Sequence, residues 1–153
     1  MSKILFGFVF LINSVFLSDV NSAQEEGYSH RFFLKKDEIA RVIIKPKELV
    51  KRPQAAPLSK KLLLKLSWTL FANDQLFVLV NYEGHPYQFI MKKAYPLDQV
   101  SMMLLPDGEN RVDTRLIAHI GFHDFEQTRQ EAILDVWIED KQERTEVEFK
   151  PQK

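Results

Sequence analysis

The sequence predicts an all-β protein, a single two-sheet sandwich of seven to nine strands, on three observations. Leu62, Leu64, Leu66, Trp68 and Leu70 alternate with Leu63, Lys65, Ser67 and Thr69, the period of two expected of a strand with one buried face. Turn-forming clusters, Asn73-Asp74, Glu83-Gly84-His85-Pro86 and Pro106-Asp107-Gly108, punctuate the chain at short intervals. Between residues 60 and 150 no apolar stripe at helical spacing competes with the alternation. Short strands joined by turns make a sandwich of immunoglobulin-like or similar Greek-key type, with a small β-barrel as the alternative. The Cys–Trp–Cys landmark of antibody domains is missing, so the likeness is one of architecture.

The elements follow in order. Gln24 to Ser29 reads as a disordered lead-in. Arg31–Lys35 and Ile39–Lys45 are β-branched and aromatic enough for strands. Lys45 to Lys61 carries Pro46, Pro53 and Pro57 with many Lys/Arg, which no central strand tolerates; it is expected to be a basic connection or strap. Leu62–Leu70 is a half-buried strand. Leu76–Tyr82 is almost continuously apolar, the pattern of a central strand covered on both faces. Tyr87, Phe89 and Met91 carry the next strand, which Tyr95-Pro96 breaks, and Val100–Leu105 the one after it. Leu116, Ala118, Ile120 and Phe122 mark a further strand, Phe125–Gln130 a polar loop, and Ala132, Leu134, Val136 and Ile138 a strand again. After a turn at Glu139–Glu143, Thr145, Val147 and Phe149 point inward.

Residues 1–23 differ in kind. Lys3 gives a positive start, and Ile4–Leu17 is an apolar run of 14 residues broken only by Gly7, Asn13 and Ser14. Small residues follow at Ser22 and Ala23. This is the layout of a secretory signal peptide cut after Ser22 or Ala23, and it is short of the roughly 20 residues a membrane-spanning helix needs. The expectation is an exported protein, in a periplasm or outside the cell, with one domain at 24–153 and no stable membrane span after cleavage. The chain has no Cys and no Asn-x-Ser/Thr acceptor, which points to a bacterial envelope. Absence of Cys also removes thiol catalysis and Cys-based zinc sites.

Net charge is zero, yet Arg31–Lys65 holds eleven Lys/Arg against three acids, and Leu66–Lys153 nine against fifteen. The balance argues against a nucleic-acid binder; the basic third suits attraction to the acidic remainder or to an acidic partner. No motif specifies a cofactor or metal. His119 and His123 share a strand face but stand about 13 Å apart at ~3.3 Å per residue, too far for one ion. Ser29, Ser59, Ser67 and Ser101 lie in no Gly-x-Ser-x-Gly turn. Asp107, Glu109, Asp113 and Asp124 read as solvated carboxylates, and a hydrolase assembled from carboxylates across loops is the third option.

What remains is a binding reading. Trp137 and Ile117 lie opposite the core faces of their strands, as do Phe33 and Ile43. The sequence thus suggests a non-enzymatic module that binds a protein partner through Trp137 and Ile117, with Lys45, Lys47, Lys51 and Arg52 steering an acidic surface. The alternative is a carrier of a lipid or small apolar molecule, with Phe77, Phe89, Met102, Met103 and Leu105 lining a barrel-like cavity.

Overall fold

A computed structural model describes residues 27–47, 58, 60–93, 98–104 and 116–151. The signal-like segment, Lys51, Arg52, Leu105, the Tyr95-Pro96 break and the Pro106-Asp107-Gly108 turn lie outside the described residues. Among the described residues nine strands are formed: β1 (Gly27–Lys35), β2 (Ala40–Pro46), β3 (Leu62–Ala72), β4 (Gln75–Tyr82), β5 (His85–Lys92), β6 (Asp98–Leu104), β7 (Leu116–Glu126), β8 (Glu131–Asp140) and β9 (Thr145–Pro151). They build two antiparallel sheets, one of four strands in the order β1-β8-β7-β6 and one of five in the order β5-β4-β3-β2-β9. The sheets stay separate, so the sandwich forms and the closed barrel does not.

Strands β2–β5 and β6–β8 are two successive meanders. The first strand, β1, leaves its chain neighbours and pairs with β8, in the sheet of the second meander. The last, β9, crosses back and pairs with β2, in the sheet of the first. Each sheet is therefore edged by a strand from the far end of the chain.

Period two decides what is buried. Leu62, Leu64, Leu66 and Trp68 of β3 face Leu116, Ala118, Ile120 and Phe122 of β7 and Ala132, Leu134, Val136 and Ile138 of β8 across one core. The Trp68 indole donates Nε1–H to the Leu34 carbonyl at 2.7 Å, so its polar handle is satisfied inside the core. Leu58 is also buried and belongs to the same core.

Four expectations are corrected. The alternation of β3 breaks between Trp68 and Leu70, where a bulge shifts the register against β4. The extra residue turns Leu70 outward, 48 % exposed, and Phe71 takes the inner place, stacked on Phe125 with ring centroids 4.1 Å apart. Second, β4 is buried on one face only: Leu76, Val78 and Val80 point in, whereas Leu79 is exposed. An apolar run is ambiguous between a covered strand and an apolar outer face, and here β4 lies beside the edge strand β5. Third, β1 starts at Gly27 and takes in part of the supposed lead-in, while Lys45 and Pro46 belong to β2 and not to the connection. Pro46 sits at the strand end, beyond the last pair with β3, where no ladder donor is missed. Fourth, β7 continues to Glu126, with Phe125 buried.

The tight hairpins use left-handed backbone. Asn73 and Asp74 (φ 52° and 59°) join β3 to β4, and Glu83 and Gly84 (φ 50° and 88°) join β4 to β5. Two positive φ values in sequence are the geometry that matches the twist of a two-residue hairpin. At the β8–β9 turn the buried Asp140 carboxylate accepts from the Thr145 amide and hydroxyl and from the Gln142 amide, so its burial is compensated.

Candidate functional site

The outer face of the four-stranded sheet gathers most of the chemistry-bearing side chains. Register sets them in rows: Met103, Ile117 and Glu139; then Ser101, His119, Trp137 and Ser29; then Gln99, Gly121, Asp135 and Arg31. A bulge between Phe122 and Asp124 follows, beyond which Ile133 and Phe33 face each other.

The centre is Trp137. Its indole stacks on the His119 imidazole, with centroids 4.9 Å apart and planes 14° from parallel. His119 is itself held twice: Nδ1 lies 2.8 Å from the Ser101 hydroxyl oxygen and Nε2 lies 3.2 Å from a Glu139 carboxylate oxygen. An imidazole that donates Nε2–H to Glu139 and accepts the Ser101 hydroxyl proton satisfies both contacts. Lys141 reaches the other Glu139 oxygen at 3.0 Å. Lys141, and after it His119, draw the Glu139 pKa below the ordinary carboxylate value against the opposing effect of burial.

On its other side the cross-strand partner of Trp137 is Ser29, too small to cover the indole. A shallow groove of ≈ 500 Å³ opens there, with Ser29, Arg31, Asp135 and Trp137 among its walls. Arg31 closes one end with a two-pronged bond to Asp135, Nε to Oδ1 at 2.6 Å and Nη2 to Oδ2 at 2.8 Å. The bond to Asp135 raises the Arg31 pKa further above its normal value. The pair is partly exposed, so it fixes orientation more than it stabilises.

Of the sequence-derived partner residues, Trp137 and Ile117 share this face, and Phe33 (54 % exposed) joins them. Lys45 does not. It points outward from β2 on the opposite sheet, bonded to Glu148. Lys47 lies just past β2, where its amide donates to the Arg144 carbonyl at 2.8 Å. Ile43 is on that opposite outer face too, and is buried. Lys45 therefore does not share a face with Trp137, and Lys51 and Arg52 lie outside the described residues. Of the residues assigned to an apolar cavity, the described ones do not converge: Met103 and Phe77 point outward on different sheets, while Met102 and Phe89 pack inward.

Two other readings meet the geometry here. His123 stands at the bulge with Nδ1 3.3 Å from the Arg31 guanidinium, a neighbour that repels a cation; among the described residues no group of three or more His, Cys, Asp or Glu side chains forms a metal cluster. Ser101, His119 and Glu139 do line up as hydroxyl, imidazole and carboxylate. Acyl transfer also needs donors aimed at a developing oxyanion. Strand amides lie in the plane of the sheet, perpendicular to the side chains of its face, so they do not point where that charge would form. Ser101 and Glu139 hold the His119 imidazole flat against Trp137. Arg31 and His119 were missing from the sequence-derived partner set because only strand register brings Arg31 to Asp135, across 104 residues, and His119 to Ser101, across 18.

No protein-family model, curated protein or solved structure matches the chain.

Proposed function

We propose that this is an exported, non-enzymatic binding module that engages a protein partner in the bacterial envelope through the outer face of its four-stranded sheet. The observation that carries this reading is Trp137, braced on one face by His119 and open on the other into the Arg31–Asp135 groove. Trp and Arg are the side chains most enriched at binding hot spots, and a braced aromatic loses little entropy on binding. Apolar groups flank this polar centre at both ends, Met103 and Ile117 at one and Ile133 and Phe33 at the other. Four strands ~4.8 Å apart and about ten residues long give a surface on the order of 600 Å², near the ~800 Å² per partner of a standard interface.

Site-specific photo-crosslinking in intact cells tests it. Benzoylphenylalanine at position 117 is expected to trap one defined partner, and the same group at position 150, on the opposite outer face, to trap none of it. Absence of an adduct from position 117, or the same adduct from both, overturns the reading. Export is tested separately: N-terminal sequencing of the envelope fraction is expected to begin at Ala23 or Gln24.

A further inference from the structure

The outer face of the five-stranded sheet, turned away from Trp137, has a chemistry of its own. Register places Lys150, Arg41 and Lys65 directly opposite one another on β9, β2 and β3. Like charges facing across strands destabilise a sheet. Lys150 is relieved by Glu148 at 2.8 Å, but neither Arg41 nor Lys65 has an ion-pair partner among the described residues, and Arg41 Nε is buried with no hydrogen bond. Among the described residues these are two uncompensated cations side by side.

Next to them lies an apolar row that the β3 bulge creates. Leu70, Phe77 and Ile90 face one another across β3, β4 and β5, and Leu79 stands between this row and the cations. Leu70, Leu79 and Ile90 are 48 %, 37 % and 55 % exposed. The outward positions of β3, β4 and β5 carry no acid; Lys92 borders the row on its far side. Exposed apolar side chains flanked by unpaired cations are the composition of a surface that enters the interfacial layer of an anionic membrane. A second copy of this chain is a poor occupant, because stacking two such faces adds two more unpaired cations and supplies no carboxylate beside the row.

We propose that this face docks on an anionic lipid bilayer, with Leu70, Phe77, Leu79 and Ile90 entering the headgroup boundary and Arg41 and Lys65 meeting lipid phosphates. The assignment is independent of the partner site, which lies on the other sheet.

Vesicle sedimentation of the purified protein tests it, with vesicles of phosphatidylglycerol mixed into phosphatidylcholine and of phosphatidylcholine alone. The protein is expected to sediment with the anionic vesicles only, to be released by high salt, and to resist competition by inorganic phosphate; release by inorganic phosphate at constant ionic strength would mean a free-anion site and overturns the membrane assignment. Each cation near an anionic surface contributes about fivefold to partitioning, so the double variant Arg41→Gln/Lys65→Gln is expected to lose on the order of 25-fold. Its melting temperature is expected to hold or rise, since a repulsive pair has gone, which separates lost binding from lost folding. Ile90→Ser is expected to weaken binding several-fold, and Trp137→Ala to leave it unchanged. Equal sedimentation with neutral vesicles, or wild-type partitioning of the double variant, overturns the proposal.

Discussion

Trp137 is the residue on which the four-stranded face turns. Truncating it removes the stack on His119 and the wall of the groove while leaving the core intact. Trp137→Ala is expected to cost about 1–2 kcal/mol, less than the ~3–5 typical of a fully buried Trp, and to abolish partner capture; denaturant titration and crosslinking from position 117 measure the two effects. Ser101 offers a sharper chemical test. If Ser101, His119 and Glu139 serve only to brace the indole, a fluorophosphonate probe leaves the protein unlabelled, and labelling at Ser101 would establish a nucleophile. At this scale the sequence showed that Trp137 and Ile117 face away from the core. It did not show that His119 lies against Trp137 or that Asp135 clamps Arg31, because those contacts depend on which strands become neighbours.

Among the elements, β3 and β4 depart furthest from what their residues suggest. Leu62 to Trp68 followed period two faithfully, and then one bulged residue reversed Leu70 and Phe71. No residue type announces that bulge: neither Gly nor Pro occurs between Leu62 and Ala72. Phe71 now fills the core position, so Phe71→Ala is expected to destabilise by about 2–4 kcal/mol, whereas Leu70→Ala, at an exposed site, is expected to change stability by less than about 0.5 kcal/mol. Had the alternation continued through Leu70, those two results would be exchanged, which chemical denaturation decides. The hairpin between the same strands was legible, because Asn73-Asp74 tolerates the left-handed backbone it adopts. Asp74→Gly, at φ 59°, is expected to stabilise by roughly 0.5 kcal/mol, since glycine accepts that angle without steric cost.

For the molecule as a whole, the acid response follows from its carboxylates. Lys150 first, and Lys45 second, pull the Glu148 pKa down to about 2, and Asp124, Glu126 and Glu139 are also lowered, by Lys93, Thr128 and Lys141 respectively. A carboxyl group whose pKa is lower in the folded state binds fewer protons there than when unfolded. Its contribution is therefore complete above about pH 4.5 and fades as pH falls toward 2. The melting temperature is expected to be level from pH 7 to about 5 and to decline below that. The Lys45→Met/Lys150→Met variant is expected to decline less steeply under pH 4.5, by a modest margin because these pairs are exposed; an unchanged profile would show that Glu148 does not contribute. The two-sheet architecture was legible because the inward alternation of β7 as far as Phe122, and of β8 and β9, survives from sequence to structure. The pairing order was not legible, since period two fixes which face is buried and says nothing about which strands adjoin.

The exchange of edge strands between the two meanders bears on how such a chain is made. While synthesis proceeds from the N-terminus, β1 waits for β8, and β2 lacks one neighbour until residues 145–151 emerge. Neither layer can be completed early, so the polypeptide stays open while it emerges and closes only afterwards, on the millisecond-to-second scale of folds dominated by distant pairings.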